Sequence, residues 1–107
     1  MNAIYLYISD RFFDYNYIEQ VLKSLEKNFE FVISDIRQDL LRISKNNLIP
    51  ISIIPKEERY NFIRDESFAV LIFHDFEDRK AENLIKYCVD RKKLLMLRAL
   101  PNEEFFI

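Results

Sequence analysis

The sequence predicts a single α/β domain, a three-layer arrangement around a five-stranded, mostly parallel sheet, and three observations predict it. Short β-prone apolar runs alternate with segments of helical period along all 107 residues. Two of those runs, AIYLYI and FAVLIF, are continuous rather than alternating, as expected for strands covered on both faces. The length sits at the usual size of one domain, and no linker, repeat or low-complexity stretch divides residues 1–107.

Ala3 to Ile8 is the first strand. Asp14 to Lys27 follows as a helix, with Ile18, Val21, Leu22 and Leu25 on one face. Phe29 to Ser34 is the second strand, and Asp35 is the expected N-cap of a second helix carrying Ile36, Leu40 and Ile43. Ile49 to Ile54 is a third strand, placed near an edge by Pro50. Pro55 to Ser67 is polar and holds one or two helical turns begun by Pro55. Phe68 to Phe73 is the most apolar run and the expected central strand. Residues 79–92 place Ala81, Leu84, Ile85 and Cys88 on the stripe of a last long helix. Leu94 to Leu97 closes the pattern as a fifth strand, and Ala99 to Ile107 is read as a tail.

Composition excludes much chemistry. The chain contains no glycine, where about seven would be expected, odds below about one in a thousand. No Walker loop, G-x-G-x-x-G turn or G-x-S-x-G elbow can therefore exist. A net charge of -2 disfavours nucleic acid as a partner. One cysteine, Cys88, excludes an internal disulfide and suits a reducing compartment. With no basic leader on the first residues and no apolar run near the ~20 residues of a membrane span, a soluble cytoplasmic protein without membrane partners is expected.

Sites on parallel sheets lie beyond the carboxyl ends of the strands. Here those ends are Ser9-Asp10-Arg11, Ser34-Asp35-Ile36-Arg37, Pro55-Lys56 and His74-Asp75-Phe76-Glu77-Asp78. Arg11, Arg37 and Arg79 are candidates for converging on an anion, since arginine forks match phosphate or carboxylate. The competing reading pairs each with a neighbouring aspartate. Asp10, Asp35, Asp75, Glu77 and Asp78 offer oxygens for a magnesium ion, but aspartates before helices are ordinary N-caps, a role that Asp14, Asp35 and Asp78 fit, and no metal or cofactor is expected. His74, the only histidine, has no evident nucleophile beside it, and Cys88 reads as a core residue, so no catalytic residue is assigned. Phe12 and Phe13 fall in a turn that can hide only one large ring, which makes them candidates for an interface.

The same strand ends resemble the SLOG superfamily, which includes small bacterial SLOG-like proteins. Its first strand ends in a Gly-Ser-Arg-Asp-Phe type turn, similar to Ser9-Asp10-Arg11-Phe12-Phe13-Asp14 and the helix YNYIEQVLKSL here. Ile33-Ser34-Asp35-Ile36-Arg37-Gln38-Asp39 stands where the family has a Gly-rich turn ending in Asp. Ile53-Ile54-Pro55 is similar to its third strand, and Arg64-Asp65 to its Arg-Asn pair. Asp78-Arg79-Lys80-Ala81, with Asn83 beyond, is similar to its Ser-Arg-Gly-Thr turn. The resemblance implies a Rossmann-like sheet ordered 3-2-1-4-5. It also implies a ligand site at Ser9, Asp10, Arg11, Asp35, Arg37, Asp78, Arg79 and Asn83, for nucleotides or nucleotide-derived signals. With Ser, Asp, Gln and Lys in place of the glycines, two functions are expected. One is a non-catalytic domain with a degenerate pocket that binds a protein partner or itself. The other is a sensor or weak hydrolase of a nucleotide-derived small molecule.

Overall fold

A computed structural model of the chain describes residues 2–99 and the backbone of 103–106. The strands are β1 (Asn2–Ile8), β2 (Phe29–Ile33), β3 (Ile51–Ile53), β4 (Ser67–His74), β5 (Leu95–Ala99) and β6 (Glu103–Phe106). The helices are α1 (Tyr15–Leu25), α2 (Gln38–Asn47), α3 (Arg59–Asp65) and α4 (Arg79–Asp90), with a 3-10 turn at Lys56–Glu58. Five parallel strands take the order β3-β2-β1-β4-β5, the Rossmann-like arrangement expected. β6 then pairs antiparallel with β5, Leu97 opposite Phe105 and Arg98 opposite Glu104. That corrects the reading of the segment as a tail: its Phe-Phe pair continues the sheet at an otherwise open edge.

Alternation along the strands separates two apolar layers. Ile4, Leu6, Ile8, Ala69, Leu71 and Phe73 face α1 and α2, meeting Ile18, Leu22, Leu40 and Ile43. Tyr5, Tyr7, Val70, Ile72 and Leu95 face the other way, against Ile63 of α3 and Ala81, Leu84 and Cys88 of α4. β1 and β4 are covered on both faces, which is why their sequences carry no polar alternation. Burial pushes the Cys88 thiol up to about 11, consistent with a core role. Among the described residues no helix is long and apolar enough to cross a membrane.

The expected central strand is central, with one exception. Ala3 pairs with Ser67 but Ile4 with Ala69, so Phe68 is the extra residue of a β-bulge. Its ring is 47% exposed while the next five residues are buried.

The missing glycines leave a mark on the backbone. Leu48, Phe76 and Lys92 take positive φ, of 55°, 70° and 55°. Leu48 closes α2 and Lys92 follows the end of α4, positions where glycine is the usual choice. After α4, the Lys92 amide donates to the Val89 carbonyl and the Lys93 amide to that of Cys88, closing a Schellman turn around a lysine. For a residue with a Cβ the left-handed conformation costs about 1–2 kcal/mol.

Candidate functional site

Beyond the carboxyl ends of β1, β2 and β3 lies a crevice of about 200 Å³, walled by Tyr7, Asp10, Asp35, Arg37, Lys56 and Lys80 among others. It adjoins the β1/β4 boundary, where strand order reverses.

Most charge at this end is engaged within the chain. Asp35 does not cap α2; Arg37 stands at the N-cap, with no side-chain cap bond. Asp35 lies two positions too early for that role. Instead its carboxylate accepts from Arg59 Nη2 at 2.7 Å and has Lys56 Nζ at 3.6 Å. Arg59 Nε also donates to Ser34 Oγ at 2.9 Å, and Ser34 shares a 2.5 Å hydrogen bond with the Tyr5 hydroxyl. A continuous polar chain thus runs from the core to the crevice. Burial pushes the Tyr5 phenol above its ordinary pKa.

Arg37 is held as firmly. It forks onto Asp39 at 3.1 and 2.6 Å and donates to the Ser9 carbonyl at 2.8 Å. Burial pushes the Asp39 carboxyl up, but the bonds and charge of Arg37 and the Leu40 amide outweigh it and hold the group below its usual range. Asp78 caps α4 through the Lys80 amide at 2.9 Å and accepts from the Tyr7 hydroxyl at 2.5 Å. Burial would raise its pKa, yet Tyr7, the Ser9 hydroxyl and the Ala81 and Lys80 amides together lower it. Burial, with the Asp78 bond, drives the Tyr7 phenol strongly upward, so it stays protonated and donates.

The predicted site residues therefore divide. Asp35 and Arg37 line the crevice, Asp10 lines it from an exposed position, and Ser9, fully buried, and Asp78, bonded to Tyr7, lie behind its wall. Arg11 is outside the crevice wall, 75% exposed and bonded to Glu77 at 3.0 Å. Arg79 is exposed on the first turn of α4 and outside the crevice wall, so the three arginines do not converge. Asn83 faces a separate hollow beside Tyr60, Lys86, Tyr87 and Asp90. Among the described residues no group of three His, Cys, Asp or Glu side chains is placed to hold a metal ion. His74 is buried, and its Nδ1 accepts from the Phe76 amide at 3.3 Å.

The turn after β1 hides one ring and leaves the other in water. Phe12 is fully buried, its ring 5.3 Å from that of Phe73, so it presents nothing to a partner. Phe13 is 62% exposed. Ile36 and Phe76, from neighbouring strand ends, are also exposed. The Phe76 loop is braced to the β1 turn by the Arg11–Glu77 bond and by the Arg11 amide on Asp75.

Sequence reasoning missed Tyr5, Tyr7 and Arg59, and it placed Ser34 and Lys56 at strand ends and Lys80 in the turn before the last helix without giving them a role. The two tyrosines at i and i+2 in an otherwise aliphatic strand were a readable signal, because buried hydroxyls on one face need partners. Arg59 gave none: it is one cation in a polar segment.

No protein-family model, curated protein or solved structure matches the chain.

Proposed function

We propose that the chain is a SLOG-like domain whose nucleotide pocket is degenerate, and that it acts without catalysis by contacting a protein partner or a second copy, as an inhibitor or adaptor does. One observation carries the reading: at the switch-point end of the sheet, Arg37 and Arg59 are tied to the chain's own carboxylates, while large apolar side chains remain exposed around them. The crevice, about 200 Å³, is smaller than the ~300–1,000 Å³ of ordinary ligand pockets. Every crossing from strand to helix carries Cβ atoms where close approach to a phosphate favours glycine. Phe13, Ile36 and Phe76 supply anchors of the kind that dominate protein interfaces.

The test is a Phe13→Ser variant compared with the unaltered chain by light scattering and pull-down. Phe13 is the residue to change, since truncating the buried Phe12 would cost about 3–5 kcal/mol and confound loss of contact with loss of fold. The expected result is a folded protein that has lost its association. Unchanged mass and unchanged partners would show the aromatic turn to be ordinary packing.

A second reading, a sensor or weak hydrolase of a nucleotide-derived ligand in the cytoplasm, draws its support from Lys56 and Lys80. Both line the crevice, and the Lys56 side chain is 66% exposed. These two lysines, rather than Arg11 and Arg79, would meet the anion.

A further inference from the structure

The amino end of the sheet carries a separate cavity of about 390 Å³, unrelated to the crevice. Arg64 of α3, Phe68 of β4, Tyr87 of α4 and the turn Arg91-Lys92-Lys93 line it. Four cations and two aromatic rings contribute, one of the cations, Arg64, being paired with Asp65, and among the described residues no carboxylate lies in its wall. The net charge of the whole chain is -2, so this is a local reversal of sign.

Helix C-termini attract cations, which accounts for positive residues at the ends of α3 and α4. It does not account for what the cations do next. The last carbonyls of α4 already accept from the backbone amides of the turn, Cys88 from Lys93 at 2.9 Å and Val89 from Lys92 at 3.2 Å. Arg64 forks onto Asp65, and Lys93 Nζ donates to the Ser67 carbonyl at 2.7 Å. Arg91 lies 4.5 Å from the Tyr87 ring centroid, a contact that fixes its direction without neutralising it. Lys92 has no ion-pair partner among the described residues.

Phe68 adds an independent observation. It is the bulged residue of the central strand, its ring half exposed and set against Phe29 at 5.4 Å. Bulges commonly re-aim a side chain, and this one brings a flat apolar surface to the wall of a cationic cavity.

The geometry points to this cavity as a binding site for a small organic anion with a flat aromatic body, its ring against Phe68 and its phosphate or carboxylate met by Arg91, which is held over Tyr87, and by Lys92. The volume suits a small molecule. A polynucleotide would need a basic groove that tracks its backbone, and the net negative chain opposes one.

Amide-resolved NMR of the full chain tests it, with adenosine 5′-monophosphate as the phosphate probe and indole-3-acetate as the carboxylate probe, each raised to about 5 mM. Saturable shifts at Phe68, Tyr87 and residues 91–94 are expected with at least one probe, and comparing the two identifies the preferred anion. Arg91→Gln and Lys92→Glu, both at exposed positions, should each weaken binding about tenfold while the remaining spectrum is preserved, as losing one charge-assisted contact requires. Lys56→Ala, in the crevice, should leave it unchanged. The site is refuted if neither probe moves these amides, if the shifts fall at Lys56 and Lys80 instead, or if both cavity variants bind like the unaltered chain.

Discussion

At the carboxyl end of the sheet, Arg11, Arg37 and Arg59 each reach a carboxylate of the same chain, at 3.0, 2.6 and 2.7 Å. At the amino end Arg64 reaches Asp65 at 2.8 Å, but Lys93 is held by a backbone carbonyl and Arg91 by a ring. Both ends are rich in arginine and lysine, yet only the first returns most of its charge to the fold. Cations closed on internal carboxylates act as fasteners for loops. Cations held by dipoles and rings keep their charge for something outside. The comparison separates two roles that composition alone would merge.

The largest expected effect removes both ends at once. Leu71 is fully exposed to neither layer of solvent, at 0% accessibility in the middle of β4. Leu71→Asp would bury an unpaired charge, a cost comparable with the whole ~5–15 kcal/mol of a domain's stability. Circular dichroism should show no cooperative unfolding transition; a soluble, cooperatively folded variant would refute the assignment of β4 as the central strand.

A smaller change tests the asymmetry itself. Arg59→Ala removes the donor shared by Asp35 and Ser34 at the carboxyl end, leaving Asp35 only the more distant Lys56, and should lower unfolding free energy by about 2–4 kcal/mol in denaturant titrations. Arg91→Gln, its counterpart at the amino end, should stay within about 0.5 kcal/mol. Equal losses would erase the distinction.

Acid should weaken the carboxyl end. Asp39 and Asp78 have folded-state pKa values below their unfolded ones. Their contribution is present above the unfolded carboxylate pKa, about 3.9, and is lost as pH falls from there through the lower folded values. Thermal unfolding from pH 6 downward should therefore show stability declining below about pH 4. Asp39→Asn, which removes one of the two groups, should flatten that decline.

The smallest effect concerns the left-handed residues. Leu48 is 87% exposed, so Leu48→Gly loses little packing and relieves its backbone. A gain of about 0.5–1 kcal/mol is expected in denaturant titrations, the strain relieved being partly offset by unfolded-state entropy. A loss would mean that the αL position is not strained.

Much of the fold was legible because it rests on period. AIYLYI and FAVLIF had no polar alternation to explain away, and the stripe of α4 predicted its buried Ala81, Leu84 and Cys88, with Ile85 half-buried beside them. Asp14 and Asp78 were readable as caps, and both accept the expected amide bonds. What was not legible depends on contacts distant in sequence. Asp35 looked like a third cap, but Arg59, 24 positions away, claims its carboxylate. The bulge at Phe68 follows from register with β1, which a strand's own sequence does not encode. The sixth strand needed β5 as a template, and Phe12 needed Phe73 beside it to become core. Of the expected site residues, Asp10, Asp35 and Arg37 reach the crevice wall, while Arg79 and Asn83 fall outside it because a helix turns successive residues away.

The most direct measurement of the account is calorimetric titration of the purified chain with ATP and with NAD up to millimolar concentration. A crevice of about 200 Å³ whose Arg37 is tied to Asp39 predicts no heat that Lys56→Ala or Lys80→Ala removes; weak millimolar heat that these variants keep and Lys92→Glu reduces belongs to the amino-end cavity. Micromolar binding of either, abolished by Lys56→Ala or Lys80→Ala, would contradict the degenerate pocket and favour the ligand sensor.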